Sequence, residues 1–225
     1  MAQAPTTLVL LHGFASTFEH SWEQSGWVDI LGDFDCSAHR IDLPGHGSSK
    51  PETDPAAYST MVEDVFAELP RPASAVGFSA GAELLVRMAI AHPGAFERIA
   101  LLGLGDNIFA ASDPRALAAA LEGEDEPEDI QARLFYRLAA STGNDPRSMS
   151  AFLRRPREPI RDDELSTIAC PVLVVLGERD MTTSADRLLA ALPSATFVSV
   201  AGVDHFATLS DFGVIDATMK FFGFD

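Results

Sequence analysis

Residues 73–81 read Ala-Ser-Ala-Val-Gly-Phe-Ser-Ala-Gly and end in the pattern Gly-x-Ser-x-Gly. The run Ala73–Phe78 predicts a buried strand, and the stretch Ala80–His92 directly after it predicts a helix. The pattern is common by chance, but between a strand and a helix its glycines allow a tight, strained turn that exposes the serine hydroxyl. The alternative is a purely structural turn. We therefore predict a parallel α/β sheet with a nucleophile, Ser79, at one strand end.

Short apolar runs alternate with amphipathic stretches of helical length on both sides of this segment. The predicted strands are Thr7–Leu11, Ser37–Ile41, Ala73–Phe78, Arg98–Leu104, Pro171–Leu176 and Thr196–Val200. The predicted helices are Ser59–Leu69, Ala80–His92, Ser184–Leu192 and Ser210–Phe222. This alternation predicts a doubly wound, mostly parallel α/β sheet of about six strands with right-handed crossovers. Ligands of such a sheet bind outside the carboxyl ends of the strands.

The alternation stops between Asp106 and Leu165, where no strand is recognisable. A segment of ~60 residues is too long for a plain loop in a compact domain. We therefore predict a helical cap at 106–165, inserted into a core domain made of 1–105 and 166–225. Its predicted helical patches are Pro114–Leu121, Pro127–Ala140 and Pro146–Leu153. An acidic segment, Glu122–Asp129, lies between the first two.

The second half of this insertion is rich in arginine. The residues are Arg147, Arg154, Arg155, Arg157 and Arg161. One interpretation is a solvated face whose arginines pair with nearby carboxylates. The other is a patch that recruits an anionic substrate tail or an acyl carrier.

A serine hydroxyl needs a base and a group that orients the base. His205 follows the last predicted strand, and Asp180 follows the one before it, so both lie at the same sheet edge as Ser79. The chain order Ser, Asp, His is that of the strand–turn–helix nucleophile motif. We predict that His205 is the general base and that Asp180 orients it. Asp106, at another strand end, is the alternative acid.

Two nearer acids, Glu178 and Asp204, are less suitable because Glu178 lies within the strand end and Asp204 adjoins the histidine itself. The other five histidines follow other segments, and we expect them to be structural or exposed. They are His12, His20, His39, His46 and His92.

The first predicted strand ends in His12-Gly13-Phe14. Acyl transfer needs hydrogen-bond donors aimed at the developing oxyanion. We predict that the backbone N–H groups of Phe14 and Ala80 supply them, with Gly13 allowing a close backbone approach. His12 is expected to brace this loop, and 42–49 (Asp-Leu-Pro-Gly-His-Gly-Ser-Ser) to form a structural loop beside the site.

Taken together, these motifs resemble those of the α/β-hydrolase fold superfamily, in particular carboxylesterase-like serine hydrolases with a small helical cap. The resemblance covers nearly all the chain outside 106–165. It rests on the segments His12–Phe14, Asp42–Ser49, Gly77–Gly81, Leu176–Asp180 and Val203–Phe206. It implies an acyl-enzyme on Ser79 and a cap that shapes the substrate pocket.

Two features depart from the family pattern. Most family members have two additional strands before this motif, whereas only eleven residues precede His12 here, so we expect a sheet of about six strands. Ala82-Glu83 follow the serine motif where capped relatives often continue with Gly-Gly. These departures concern the subfamily and leave the expected mechanism unchanged.

The resemblance implies a serine hydrolase that cleaves a small-molecule carboxylic ester or thioester without a metal or cofactor. The alternatives are a carbon–carbon bond or lactone hydrolase with the same triad, a perhydrolase, or a low-turnover ligand receptor of the same fold. Candidate pocket residues, each of which could equally pack in the core, are Phe14, Trp22, Phe78, Phe109, Phe135, Phe152 and Phe206.

Composition excludes several other functions. The 225 residues include 33 acidic and 16 basic side chains, for a net charge of −17. Such a chain is unsuited to nucleic acids, which bind through Lys and Arg, and to anionic membrane surfaces. Only Cys36 and Cys170 are present, and no signal or membrane segment is recognisable, so we expect a cytoplasmic protein with two thiols. The sequence leaves open a disulfide between them and the oligomeric state.

Overall fold

The fold is described from a computed structural model. The structure describes residues 4–110, 114–123, 126–182 and 184–224, without the side chain of Gln131. Two acidic residues of the predicted segment Glu122–Asp129, Glu124 and Asp125, lie outside the described residues.

The centre of the molecule is a six-stranded sheet in which every neighbouring pair is parallel. Its order is β2-β1-β3-β4-β5-β6. The strands are β1 (Thr7–Leu11), β2 (Ser37–Arg40), β3 (Ala73–Phe78), β4 (Phe96–Leu102), β5 (Val172–Gly177) and β6 (Ala195–Val200). The predicted six-stranded parallel sheet is confirmed.

Helices connect these strands. The α-helices are α1 (Trp27–Asp33), α2 (Met61–Glu68), α3 (Ala80–Ala91), α4 (Arg115–Glu122), α5 (Ile130–Ser141), α6 (Pro146–Leu153), α7 (Asp162–Leu165), α8 (Asp186–Ala191) and α9 (Phe212–Phe222). A π-helix spans Glu19–Glu23, and short 3-10 helices span Pro55–Thr60, Asp106–Phe109 and Thr208–Ser210. In the described part of the chain, no helix is both long and apolar enough to cross a membrane.

Side chains that alternate along the strands feed two separate cores. On β1, Val9 and Leu11 belong to a core with α2, α3 and α8, whereas Leu8 and Leu10 belong to a core with α1 and α9. Both faces of the sheet are therefore covered, which explains why several strands are apolar throughout. Helices α4–α6 join the first core, so the segment between β4 and β5 is packed onto the sheet domain.

The structure corrects several predicted boundaries. β4 begins and ends two residues earlier than the predicted Arg98–Leu104, and the ladder between β3 and β4 shifts register at Ala73/Ser74. The π-helix and α1 were not predicted at all. Gly26 and Gly32 flank or interrupt this short helical stretch, and a π-helix lacks the 3.6-residue period on which a helix prediction rests.

The turn that carries Ser79 depends on two very close backbone approaches. A Cβ atom at Gly81 would lie 2.3 Å from the carbonyl oxygen of Leu11, and one at Gly77 would lie 2.6 Å from Cα of Ala82. Ser79 itself adopts φ 52° and ψ −112°, a backbone conformation that residues other than glycine rarely adopt. The first turn of α3 is thus pressed against the end of β1, which holds the strained serine in place.

We expect Gly81→Ala to lower the free energy of unfolding by about 2–3 kcal/mol, because the new methyl group would collide with rigid backbone at the end of β1. The matched control is Gly32→Ala in α1, where an added Cβ meets nothing within 4 Å. That change should be neutral or stabilising because alanine favours the helix. Urea denaturation measures both, and equal effects would contradict the packing argument.

Candidate active site

Three side chains from three loops form one hydrogen-bonded chain at the carboxyl edge of the sheet. Ser79 lies between β3 and α3, Asp180 follows β5, and His205 follows β6. His205 Nε2 lies 3.0 Å from Ser79 Oγ, and His205 Nδ1 lies 2.9 Å from Asp180 Oδ2. Asp180 and His205 are buried, whereas Ser79 is half-buried and borders a cavity. The structure brings together the predicted nucleophile, base and acid.

The hydrogen bonds assign the proton on the imidazole. Asp180 Oδ1 also accepts the backbone N–H of Thr182 at 2.8 Å, which orients the carboxylate. Because a carboxylate can only accept, Nδ1 of His205 is the donor in this pair. Nε2 then remains free to accept the Ser79 hydroxyl proton. This is the tautomer that a general base requires.

Two glycines that the sequence analysis did not single out make room for these loops. A Cβ at Gly103, where φ is +64°, would lie 3.0 Å from Cε1 of His205. A Cβ at Gly177 would lie 2.2 Å from the carbonyl oxygen of Val203. A side chain at Gly177 would displace the loop that carries His205, and one at Gly103 would press on the rings of Phe78 and His205.

The alternative acid, Asp106, is committed to a different task. Its carboxylate accepts the backbone N–H of Leu188 at 2.9 Å and the hydroxyl of Ser184 at 2.9 Å. Burial raises the pKa of Asp106, but these hydrogen bonds outweigh it and hold the pKa below its usual value. Asp106 therefore ties the loop after β4 to α8. The structure does not bring it to His205.

The other nearby acids also bind elsewhere. Glu178 accepts the backbone N–H of Gly202 at 3.3 Å, and Asp204 accepts that of Ala207 at 2.9 Å. Among the described residues, no group of three or more His, Cys, Asp or Glu side chains is arranged to hold a metal ion. Cys36 and Cys170 are both free thiols.

The predicted oxyanion donors lie on either side of Ser79. A Cβ at Gly13 would lie 3.5 Å from Cβ of Ser79, so the loop that carries Phe14 runs directly beside the serine. Ala80 is the first residue of α3, and N–H groups of a first helical turn have no intrahelical acceptor. The positive end of the helix dipole points to the same place. The geometry can thus offer two backbone donors to an oxyanion.

A cavity of about 310 Å³ opens beside Ser79 and His205. Four of the predicted pocket aromatics line it, namely Phe14, Phe78, Phe135 and Phe206.

The prediction is wrong for three of the aromatics, which do not line this cavity. Trp22 is fully buried against Trp27, with ring centroids 5.1 Å apart. Phe152 is buried beneath Phe14, and Phe109 lies under Arg187 at 3.8 Å on a separate surface. Sequence position alone does not show which face such a ring turns to.

Residues 8–217 match the alpha/beta hydrolase family. The chain belongs to this family. Two similar relatives are each named pimeloyl-[acyl-carrier protein] methyl ester esterase. The relative from Nitrosomonas europaea is 25% identical over 231 residues, covering 90% of each chain. The relative from Xanthomonas campestris pv. campestris is 29% identical over 226 residues, covering 88% of this chain and 87% of the relative.

A bromoperoxidase from Bacillus anthracis is similar in structure. It superposes with a TM-score of 0.75 over 98% of this chain and 92% of that chain, at 19% identity. This likeness shows the fold alone.

In this α/β-hydrolase, Asn144 connects the segment between β4 and β5 to the loop 12–16 after β1, here called the oxyanion loop after its predicted role. Its side-chain amide donates to the carbonyl oxygens of Ala15 at 3.0 Å and Ser16 at 3.1 Å. Its carbonyl accepts the backbone N–H of Gly47 at 2.8 Å. The residue is buried, so one amide holds two loops of the sheet domain in register. Asparagine between polar residues carries no signal by which sequence reasoning could have found it.

Glu83 is a second connection of this kind. It lies on α3 one turn after Ser79, and its buried carboxylate binds Arg87 at 2.9 Å and Arg157 at 2.9 Å, with Arg155 at 3.9 Å. This Glu83 is one of the two residues that depart from the family pattern. It anchors the chain that follows α6 to the helix behind the serine.

Other arginines of the predicted patch also pair with carboxylates. Arg154 binds Glu122 at 2.8 Å, and Arg161 binds Asp163 at 3.0 Å. These contacts favour the interpretation of a carboxylate-paired face.

Two buried histidines support the loops around the site. His12 accepts the backbone N–H of Leu43 through Nε2 at 2.9 Å, and its Nδ1 lies 2.8 Å from the carbonyl oxygen of Gly13. His12 therefore braces the oxyanion loop, as predicted from its position. His46 Nε2 has no hydrogen-bond partner among the described residues. Burial lowers the pKa of His12 to about 4 and that of His46 to about 3.

We expect the stability of the protein to fall as the pH is lowered from 6.5 towards 4. The unfolded chain binds protons at these histidines below pH 6.5, whereas the folded chain keeps them neutral, so acid favours unfolding. For His12 alone the loss is about 3 kcal/mol. Urea denaturation at stepped pH measures it, and His46→Asn should flatten the decline. Parallel curves for the two proteins would contradict the assignment to His46.

We expect Asn144→Asp to lower both stability and turnover. The new carboxylate keeps the bond from Gly47 but faces two carbonyl oxygens without a donor, at a cost of about 3 kcal/mol. Displacement of the oxyanion loop should reduce kcat by about tenfold. The matched control is Asn107→Asp, since the side chain of Asn107 acts as an acceptor for Gly105 N–H and Asp keeps that bond. Equal effects of both changes would contradict the role of Asn144.

Proposed function

We propose that this α/β-hydrolase is a carboxylesterase in which Ser79, His205 and Asp180 act as a catalytic triad. The proposal rests on one observation, the hydrogen-bonded chain from Asp180 through His205 to Ser79 that opens onto a cavity lined in part by aromatic side chains. Membership of the family and two relatives named as esterases support it.

In the first half of the proposed reaction, Ser79 Oγ attacks the ester carbonyl carbon while His205 Nε2 takes the hydroxyl proton. The carbonyl oxygen becomes an oxyanion that accepts the N–H groups of Phe14 and Ala80. Collapse of this intermediate breaks the bond to the alcohol oxygen, and His205 returns the proton to the leaving alcohol. The product of this half is an acyl-enzyme on Ser79.

In the second half, water takes the place of the alcohol. His205 removes a proton from the water as its oxygen attacks the acyl carbon. The second oxyanion collapses, the bond to Ser79 Oγ breaks, and His205 returns the proton to Ser79. Asp180 remains ionised and stabilises the imidazolium in both halves.

The segment 106–165 is proposed to be the cap over this reaction. Phe135 and Leu138 of α5 line the cavity, so this segment supplies part of the wall that selects the substrate. At ~30 Å³ for each water-sized group, the cavity holds about ten non-hydrogen atoms. We therefore propose a medium-length acyl ester of a small alcohol, in keeping with the methyl esters that the relatives' names specify. Two free thiols suit a reducing compartment, the cytoplasm.

We expect the wild type to hydrolyse p-nitrophenyl esters of short to medium acyl length and Ser79→Ala to lose this activity. Asp180→Asn should lower kcat by about 10⁴, since it favours the wrong tautomer of His205. Asp106→Asn is the matched control and should cost far less, because Asp106 caps α8. Initial rates measure all three, and undiminished activity of Ser79→Ala would overturn the proposal.

A fluorophosphonate probe provides an independent measurement. It should label Ser79 and leave the Ser79→Ala protein unlabelled. Lactones and carbon–carbon bond substrates run alongside the esters would show whether the same triad prefers one of those reactions. Labelling without repeated turnover on any substrate would indicate a receptor instead of an enzyme.

A further inference from the structure

The cavity beside Ser79 has two unlike walls. One wall is apolar and consists of Phe14, Phe78, Phe135, Leu138, Phe206 and Leu209. A second set of lining residues, here called the polar wall, consists of Ser16, His20, Ser21, Gln24, Ser25 and Ser210. Most of the polar wall comes from the π-helix Glu19–Glu23 and the residues next to it. An ester with a purely hydrocarbon chain would leave this wall unused.

The serines of the polar wall present mainly hydrogen-bond acceptors, because most of their hydroxyl protons are already engaged. Ser25 Oγ donates to the carbonyl oxygen of Ser21 at 2.5 Å, and Ser210 Oγ donates to that of Ala207 at 3.1 Å. Gln24 Nε2 lies 3.4 Å from a carboxylate oxygen of Glu19, which engages one of its two N–H groups and leaves the amide oxygen of Gln24 available. The exposed ring of His20 can also donate or accept. A hydroxyl or amide oxygen whose proton is committed can still accept.

The deepest part of the polar wall is a pair of buried serines. Ser16 Oγ and Ser21 Oγ lie 2.8 Å apart, so one hydroxyl donates to the other. The pair keeps one proton and several lone pairs for a ligand. Acceptors therefore extend from this buried pair to the exposed Gln24 at the rim.

Charge narrows the class of ligand further. None of the described residues that line the cavity is Asp, Glu, Lys or Arg. A carboxylate or phosphate would find no permanent cation here, since the lining holds as basic residues only His205 of the proposed triad and the exposed His20. The protein as a whole carries a net charge of −17. An ammonium group would find no carboxylate on the wall to pair with. What fits is an uncharged group that carries its own N–H or O–H.

We propose that the polar wall is a subsite for a neutral hydrogen-bond donor, an amide N–H or a hydroxyl, at the end of the substrate remote from the ester. This inference rests on the proposed esterase function and names its substrate class more closely. The apolar wall packs along the hydrocarbon part of the same substrate. Each donor that reaches the wall replaces a hydrogen bond to water that the substrate gives up on entry.

The test compares methyl esters of one chain length whose far end is methyl, hydroxyl, primary amide or carboxylate. We expect kcat/KM for the hydroxyl and amide esters to exceed that for the methyl-ended ester by about threefold to tenfold. The carboxylate-ended ester should be the poorest substrate. A second set carries the same end groups on the alcohol instead of the acyl chain, and the set that shows the preference reveals the orientation.

Two variants assign the preference to the wall. In Gln24→Leu with Ser25→Ala, the ratio of kcat/KM between amide-ended and methyl-ended esters should fall by about half or more, since two of the wall's acceptors are gone while the buried Ser16–Ser21 pair remains. Ser166→Ala is the matched control: this exposed serine bonds the carbonyl oxygen of Asp163, away from the cavity, and its ratio should stay at the wild-type value. Thermal melting checks that all variants are folded.

The outcomes are separable. Any of three results would overturn the subsite while the esterase stands. These are the absence of a preference in both ester sets, a carboxylate-ended ester as the best substrate, or an undiminished preference in Gln24→Leu with Ser25→Ala. Failure of the methyl-ended ester to be hydrolysed in a Ser79-dependent way would instead overturn the proposed function.

Discussion

The contact between the first turn of α3 and the end of β1 is the constraint on which the site depends. At Gly81 the two backbones are so close that a methyl group would meet the carbonyl oxygens of Leu11 and His12. This approach forces the chain to turn sharply at Ser79, with φ at +52°. The same contact brings the oxyanion loop after β1 beside the serine. One backbone contact therefore positions both the proposed nucleophile and one of the proposed oxyanion donors.

The loops around that contact are held by polar side chains buried between packed surfaces. Asn144 joins the oxyanion loop to Gly47. Glu83 on α3 binds Arg87 and Arg157. Phe152 stacks on Phe14, and the guanidinium carbon of Arg155 lies 3.8 Å from the centroid of the Phe152 ring. Because buried polar groups are costly when a partner is lost, these connections resist small displacements of the segment 106–165 relative to the site.

Much of this arrangement could be predicted from sequence. Strand ends are marked by apolar runs that stop at Gly, Asp or His, and parallel strands bring those ends to one edge, so Ser79, Asp180 and His205 could be placed together. The short helix α1 could not be predicted, because glycines flank and interrupt it and the preceding π-helix breaks the usual period.

The residues that line the cavity could not be predicted from the sequence, for a different reason. Trp22 and Ser21 are neighbours, yet the serine lines the cavity and the tryptophan is buried in the opposite direction. Aromatic residues suggest a pocket, but burial in a core produces the same composition. Serines and asparagines give no signal at all, since turns and surfaces use them everywhere. The direction of each side chain is set by helix packing that no local pattern encodes.

The distribution of charge follows from the demands of the proposed chemistry. The ion pairs of Glu83, Arg154 and Arg161 lie outside the cavity, and none of its described lining residues is Asp, Glu, Lys or Arg. In such a lining the oxyanion and the imidazolium are the main charges that change during reaction. A low local dielectric then strengthens the bonds from backbone N–H groups to the oxyanion. Neutral acceptors on the polar wall can select a substrate without disturbing that balance, which a fixed charge at the same place would do.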